Sequence, residues 1–158
     1  MDENIKKIID TGRSFIGTTD NPLYSNNVIF NTDYYGQKVS GDEYPWNCTF
    51  LWDIFRISEK SDLFYNGNKC AFIPILYTWF KSNNNIFVIP KVGDIVFFKF
   101  ENSSKINHCG IVSEIISDTK IKVIEGNTSY TSDYCGGTVM ERIRTNKYIV
   151  GFGRINYW

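Results

Sequence analysis

Little in this chain of 158 residues suits a polyanion or a membrane. Its 17 Lys and Arg balance 17 Asp and Glu, so the formal net charge at pH 7 is zero. Binding to nucleic acid needs clustered positive charge that neutralises phosphates, and the sequence has no basic run. No stretch approaches the roughly 20 consecutive apolar residues that cross a bilayer. The sequence therefore predicts neither a nucleic-acid partner nor insertion into a membrane.

Histidine and cysteine are too scarce and too widely spaced for the common metal sites. The single histidine, His108, excludes a site that needs two imidazole ligands. The four cysteines, at positions 48, 70, 109 and 135, lack the Cys-x-x-Cys spacing of zinc ribbons and fingers. Four acidic residues that could bind calcium do not form a compact Asp-x-Asp loop, namely Asp33, Asp42, Glu43 and Asp53. We therefore expect no metal and no cofactor.

Size and composition predict one domain that spans residues 1–158. A chain of this length buries roughly 70% of its unfolded surface, which is enough for one core. Aromatic residues make up 16% of the chain and supply rings for a dense core and for a binding groove. The start, Met1 to Asn4, is acidic and polar, unlike a secretory signal peptide. Free thiols are therefore expected rather than disulfides.

Apolar spacing predicts helices in the first half of the chain. Residues 4–16 carry isoleucines at helical spacing, which indicates an amphipathic helix. Residues 20–46 show no sustained period and are expected to form a long irregular loop. A second helix is predicted to begin at Asn47, taken as its N-cap, with Cys48 in the first turn. A third is predicted around 70–81, bent or started late by Pro74.

The period changes to that of strands from Ile86 onward. Five runs of alternating or continuous apolar residues predict strands, at 95–98, 108–115, 120–127, 139–143 and 149–154. Helices followed by strands indicate an α+β fold with the helices packed on a five- to six-stranded antiparallel sheet.

Three residues at the ends of these elements could form a thiol-based site. A helix N-terminus and a nearby imidazolium both favour a thiolate, and Cys48 lies in such a position. The imidazole of His108 would need an orienting group, and Glu125 lies 17 residues further along. If the two strands pair, His108 and Glu125 become neighbours.

Several segments in sequence order resemble the CHAP family, the cysteine- and histidine-dependent amidohydrolases and peptidases of bacterial and phage cell-wall enzymes. The resemblance covers nearly the whole chain from about residue 12. It rests on Tyr34-Tyr35-Gly36, Tyr44-Pro45-Trp46 before the Cys48 helix, Lys91-Val92-Gly93-Asp94-Ile95-Val96-Phe97-Phe98, His108-Cys109-Gly110-Ile111-Val112, Glu125-Gly126-Asn127-Thr128, Gly136-Gly137-Thr138-Val139-Met140 and Gly151-Phe152-Gly153-Arg154.

The resemblance implies a papain-like fold and hydrolysis of peptidoglycan, in the stem peptide or cross-bridge or at the muramoyl–L-alanine amide. It implies Cys48 as nucleophile, His108 as general base, Glu125 as orienting carboxylate and Asn127 as a supporting polar residue. Two rings, Tyr44 and Trp46, either line the substrate groove or pack against the helix.

A phage or prophage endolysin acting on Gram-positive walls is the expected role. Such a protein stays in the host cytoplasm until its release to the wall, or is extracellular. Because the chain has no excess of positive charge, we expect targeting by groove contacts or by a separate wall-binding domain or chain.

One departure from the family pattern leaves a second interpretation open. Many members read Pro-Trp-Cys, and an alignment without a gap then puts Asn47 where their cysteine stands. Other members have Cys-Thr followed by an aromatic residue, which fits Cys48-Thr49-Phe50, and Cys48 is the only thiol at this helix start. If Asn47 holds the nucleophile position, the chain is an inactive relative or an engineered variant that only binds cell wall. A thiol transferase or deamidase acting on proteins is a third reading.

Overall fold

The computed structural model describes residues 1–101 and 103–157 and confirms the α+β prediction. The described residues form four α-helices, which are α1 (Glu3–Ser14), α2 (Ile29–Tyr35), α3 (Asn47–Ile57) and α4 (Ile73–Ser82). They also form six strands, which are β1 (Ile86–Phe87), β2 (Ile95–Phe98), β3 (His108–Ser117), β4 (Lys120–Thr128), β5 (Thr138–Thr145) and β6 (Ile149–Gly153). The strands make one antiparallel sheet in the order β1-β6-β2-β3-β4-β5. Among the described helices, none is long and apolar enough to cross a membrane.

Helix α2 interrupts the segment 20–46, which was expected to be an irregular loop throughout. Its seven residues make only about two turns, too few for a periodic pattern to stand out. The helix ends at Gly36, whose φ of 74° places it in the left-handed region that glycine adopts without strain. The ring of Phe30 contacts that of Phe50 at a centroid distance of 5.0 Å, which anchors α2 to α3.

Helix α3 runs through the core and fixes the position of its own N-terminus. Residues 47–55 are all buried, and the helix packs against β3 and β4. A Cβ atom on Gly126 would lie 2.6 Å from the Cβ of Phe50, so a glycine is required for this close approach of α3 to β4. The approach brings the first turn of α3 beside the paired strands β3 and β4.

Successive residues of β3 contact two separate parts of the core. Cys109 and Ile111 belong to the apolar cluster formed with the helices, whereas Val112 belongs to a second cluster with Phe98. The ring of His108 lies 5.7 Å from that of Phe98 and so shares this second face. His108 and Cys109 therefore point to opposite faces of the sheet, as alternation along a strand predicts.

Candidate active site

Pairing of β3 with β4 brings His108 and Glu125 together. Ile111 lies opposite Ile124 in the antiparallel register, and His108 Nε2 is 2.7 Å from Glu125 Oε2. A Cβ atom on Gly110 would lie 2.9 Å from the Cγ of Glu125, so this glycine leaves room for the carboxylate to reach the imidazole. The side chains of His108 and Glu125 have no exposed surface.

Asn47 is the residue of α3 that faces the imidazole. Its Nδ2 atom lies 2.7 Å from Nδ1 of His108 and donates a second hydrogen bond, of 3.0 Å, to the carbonyl of Tyr134. Asn47 was predicted to be the N-cap of this helix, but Trp46 is the N-cap and Asn47 is the first helical residue. The Asn47 amide is thereby free to contact the imidazole instead of capping the helix.

The same contacts define the protonation of the imidazole. The reverse amide orientation would set Oδ1 of Asn47 against the carbonyl oxygen of Tyr134, an acceptor facing an acceptor. Nδ2 therefore donates to Nδ1 of His108, and Nδ1 accepts. The ring proton is on Nε2, which donates to Glu125. In this arrangement Nδ1 is the hydrogen-bond acceptor that faces residue 47.

The Cys48 thiol, which was expected to be the nucleophile, does not face His108 in the structure. Its thiol is 1% exposed and donates to the backbone carbonyl of Cys70 at 3.0 Å. It also neighbours the Cys109 thiol, which lies on the face of β3 opposite His108. One residue along a helix turns a side chain by about 100°, so Cys48 points into the core while Asn47 points at the imidazole.

The environment of Cys48 also disfavours the thiolate. The adjacent Cys109 thiol and burial in the core raise the pKa of Cys48 well above its usual range, despite an opposing contribution from Cys70. A nucleophilic cysteine needs the opposite, a lowered pKa beside a positive charge or an accessible helix N-terminus. Cys48 is therefore a core residue.

Thiol labelling of the native protein tests this assignment. At mildly acidic pH, iodoacetamide is expected to label Cys135, the exposed thiol, well before Cys48, which is buried and protonated. Peptide mass spectrometry over a time course measures both rates, and labelling in denaturant supplies the full-reactivity control for each site. Faster alkylation of Cys48 than of Cys135 in the folded protein would reinstate Cys48 as an activated thiol.

Asn127 shapes a connection and has no described hydrogen bond to His108. Its Oδ1 accepts from the backbone N–H of Gly137 at 3.0 Å, and its backbone carbonyl accepts from Gly136. Its φ of 58° lies in the left-handed region, where asparagine is enriched. The residue thus closes the β4–β5 connection, residues 129–137, which contains Tyr134.

The two predicted substrate-binding rings have different environments. Trp46 is fully buried, stacks on Phe30 at 5.5 Å and directs Nε1 towards Asp20, so its ring packs in the core and does not line a groove. Tyr44 is half-buried and contacts the ring of Tyr35 edge-on at 5.1 Å. Tyr44 therefore remains a candidate for contact with substrate.

Arg144 completes the site and was missed in the sequence. Its Nε donates to Oε1 of Glu125 at 2.7 Å, and its Nη2 donates to Oε2 at 2.6 Å. The predicted strand stopped at Ile143, one residue short of this arginine. The available signal was the alternation of Arg142 and Arg144, because residues two apart share a strand face.

The charges around Glu125 keep it ionised. Burial alone would raise the pKa of Glu125, but the hydrogen bonds from Arg144 and His108 outweigh burial and lower it. The site is therefore a carboxylate held between a guanidinium and an imidazole.

Comparison with known proteins identifies the family of the chain. A family model described as the CHAP domain matches residues 39–127, more than half of the 158-residue chain. The matched range includes Asn47, His108, Glu125 and Asn127. No curated protein matches the chain. CHAP domains are hydrolases that act on peptidoglycan, generally as cysteine peptidases or amidases. On the strength of that match the chain belongs to the CHAP-domain family.

Proposed function

We propose that this chain recognises peptidoglycan through the cleft of a CHAP hydrolase and that Asn47 occupies the position of the nucleophile. The observation that carries the proposal is the 2.7 Å contact between Asn47 Nδ2 and His108 Nδ1 at the start of α3. With asparagine at this position the chain binds its substrate and does not cleave it through a thioester.

The chemistry of an amide supports this reading. The nitrogen of a carboxamide shares its lone pair with the carbonyl, so it is a hydrogen-bond donor and not a nucleophile. Both N–H groups of Asn47 are already used, one for His108 and one for Tyr134. The imidazole is nevertheless oriented as a general base would be, with Nδ1 unprotonated and Nε2 on Glu125.

A cysteine at position 47 would complete a hydrolytic site. His108 Nδ1 would take the thiol proton, and the thiolate would attack the carbonyl carbon of a peptide-type amide. The first intrahelical bond of α3 runs from the N–H of Phe50 to the carbonyl of Trp46, so the earlier N–H groups of the first turn can face an oxyanion. His108 would return the proton to the leaving amine, and water would release the acyl group.

The substrate class follows from the family and from the charge of the chain. The zero net charge suits a glycopeptide reached through specific contacts rather than a polyanion captured by charge. The bond recognised is an amide of the stem peptide, of the cross-bridge, or between muramic acid and L-alanine. The biological setting that we propose is an endolysin-like phage or prophage protein that reaches Gram-positive walls after release from the host cytoplasm.

Access to the site requires movement of the segment that contains Tyr134. Asn47 is 2% exposed and His108 has no exposed surface, so a substrate carbonyl cannot contact residue 47 in this arrangement. The Tyr134 carbonyl is bound to Asn47 itself, and displacing it opens the route to the imidazole. Substrate therefore reaches residue 47 only when the segment that contains Tyr134 moves away.

A sedimentation assay with insoluble Gram-positive peptidoglycan tests the proposal. We expect the protein to pellet with the wall and to release no new amine groups or muramoyl carboxyls. Tyr44→Ala should weaken retention, because its half-buried ring is the remaining groove candidate. Phe72→Ala, an equally drastic loss of an exposed ring beside α4, is the control and should bind like the parent chain.

Two outcomes would overturn the proposal. Failure of the parent chain to pellet with any peptidoglycan would remove the binding function. Steady release of amines by the parent chain would show that it cleaves the wall with Asn47 in place.

A further inference from the structure

Arg144 lies outside the residues that match the family model, yet it contacts the central carboxylate of the site at two points. We propose that Arg144 is a positioning residue whose two-point grip on Glu125 fixes the carboxylate against His108 and keeps Nδ1 of the imidazole unprotonated towards residue 47.

The two hydrogen bonds from Arg144 restrict rotation of the Glu125 carboxylate. The planar guanidinium offers parallel N–H groups that match both carboxylate oxygens, an arrangement that lysine cannot reproduce. Oε2 of Glu125 is shared between Arg144 Nη2 at 2.6 Å and His108 Nε2 at 2.7 Å. Any rotation of the carboxylate that loosens its bond to His108 therefore also breaks a bond to Arg144.

The arginine and the histidine rest against the same aromatic pair. The guanidinium of Arg144 lies 5.3 Å from the ring of Phe98 and 4.9 Å from that of Phe100. The His108 ring lies 5.7 Å from each of these rings. Cation–π contact and burial thus seat both groups on one rigid surface that excludes water.

The charge balance gives Arg144 its effect on the imidazole. With Arg144 present, its guanidinium balances the buried negative charge of Glu125, while its second carboxylate partner, Asp133, is also paired with Arg142, and His108 can stay neutral. Without the guanidinium, a buried carboxylate would be left with His108 as its partner, and a second proton on the ring would compensate the charge. Nδ1 would then donate rather than accept and could no longer act as a base towards residue 47.

A nitrogen-15 NMR measurement on the only histidine tests the inference in the chain as it exists. At pH 7 the parent protein should show an unprotonated Nδ1 and a protonated Nε2. Arg144→Gln should shift the Nδ1 resonance towards the protonated position. Arg144→Lys keeps the positive charge but loses the two parallel N–H donors, so its Nδ1 resonance should lie between those of the parent and Arg144→Gln.

Arg142→Gln is the matched control. Arg142 binds Thr128, the carbonyl of Ser129 and Asp133 from the same strand, so its loss loosens the connection that Arg144 also contacts through Asp133. The described hydrogen bonds of Arg142 do not include Glu125, and the His108 resonances should not move. Unchanged His108 resonances in a folded Arg144→Gln protein would overturn the inference; if that variant does not fold, unchanged resonances in Arg144→Lys would do so.

A second test measures kcat and KM of a chain made active by Asn47→Cys. It rests on the proposed function, whereas the NMR test does not. In an Asn47→Cys background, Arg144→Gln should lower kcat about 10- to 100-fold, the size seen when outer partners that orient a metal-bound imidazole are removed. KM should change by less than about twofold, because Arg144 acts on the base and not on substrate. An equal loss in the Arg142→Gln control would overturn the positioning role, whereas an inactive Asn47→Cys parent would count against the proposed function alone.

Discussion

Replacing Asn47 with cysteine is expected to give a chain that cleaves peptidoglycan amides at a rate at least about 10³-fold above that of the parent. The expectation is conservative, because removing the nucleophile of a hydrolase typically costs about 10⁶-fold in kcat. The new thiol would lie at the first position of α3, facing the unprotonated Nδ1 of His108. It would also no longer donate to the carbonyl of Tyr134, which frees that segment to open.

Release of amine groups from purified Gram-positive walls measures the effect, and mass spectrometry of the products names the bond. New N-termini on peptides would identify an endopeptidase, and freed muramoyl carboxyls would identify an amidase. Two companion variants separate the two cysteine positions. Asn47→Cys with Cys48→Ala should stay active, because Cys48 packs in the core, whereas Asn47→Cys with His108→Ala should be inactive.

One result would contradict the assignment of Asn47 to the nucleophile position. Wall cleavage by the parent chain that is lost in Cys48→Ala would mean that Cys48 leaves the core and attacks substrate. That result would also require the thiol to overcome the raised pKa that its neighbours and burial impose.

The pairing of β3 with β4 could be predicted from the sequence, because the two strands are consecutive along the chain. His108 and Glu125 lie on consecutive antiparallel strands, and alternation along β3 puts Cys109 on the opposite face. The approximate positions of strands β2 to β6 and the α+β order follow from apolar periodicity, whereas several strand ends differ from the prediction, such as that of β5 at Thr145. Contacts between neighbouring elements thus carry most of what could be predicted.

The choice between Asn47 and Cys48 is a different kind of question. It depends on where α3 begins and on its rotation about its own axis, and both depend on how the buried residues of α3 pack, including the close contact of Phe50 with Gly126. A shift of one residue exchanges a core position for a site position. The chemical preference for a thiol predicted Cys48, whereas packing places Asn47 against His108.

Trp46 and Arg144 illustrate two further limits. An aromatic residue before a catalytic helix can face either a groove or the core, and the contact of Trp46 with Phe30 depends on helix α2, which was not predicted. Arg144 reaches Glu125 from beyond the predicted end of its strand. Its role depends on the charge balance of a buried site, which periodicity does not reveal.

Glu125→Gln is expected to lower the free energy of unfolding by about 3–5 kcal/mol, the usual cost of removing one partner from a buried ion pair. Arg144, whose side chain is 9% exposed, would keep Asp133 and lose the carboxylate that holds both of its other donors. The glutamine amide would also set an N–H group against a donor of His108 or Arg144. For a chain of this size the loss corresponds to a fall in Tm of about 10 °C.

Glu114→Gln is the matched control. It makes the same substitution on the adjacent strand, where Glu114 pairs with Lys122 at 2.6 Å and both side chains are more than a third exposed. Surface pairs of this kind contribute about 0–1 kcal/mol, so the control should unfold close to the parent. Equal destabilisation by the two variants would contradict the view that Glu125 is the counter-charge of a buried cluster.

The difference in unfolding free energy between the parent and Glu125→Gln should depend on pH. This dependence is the sharper test, because it reports the titration of one carboxyl group. The pKa of Glu125 in the folded chain lies below its ordinary value of 4.5, since Arg144 and His108 outweigh its burial. The unfolded chain therefore binds the proton first as pH falls, and the ionised group stabilises the folded state fully above the unfolded pKa. Denaturant titrations should show that the contribution of Glu125 to the gap in unfolding free energy between parent and Glu125→Gln is fully present only above the unfolded pKa of Glu125. The gap should narrow as pH falls from about 5 through the lowered folded pKa, and a gap that widened over that acidic range would mean that Glu125 is not held ionised by its neighbours.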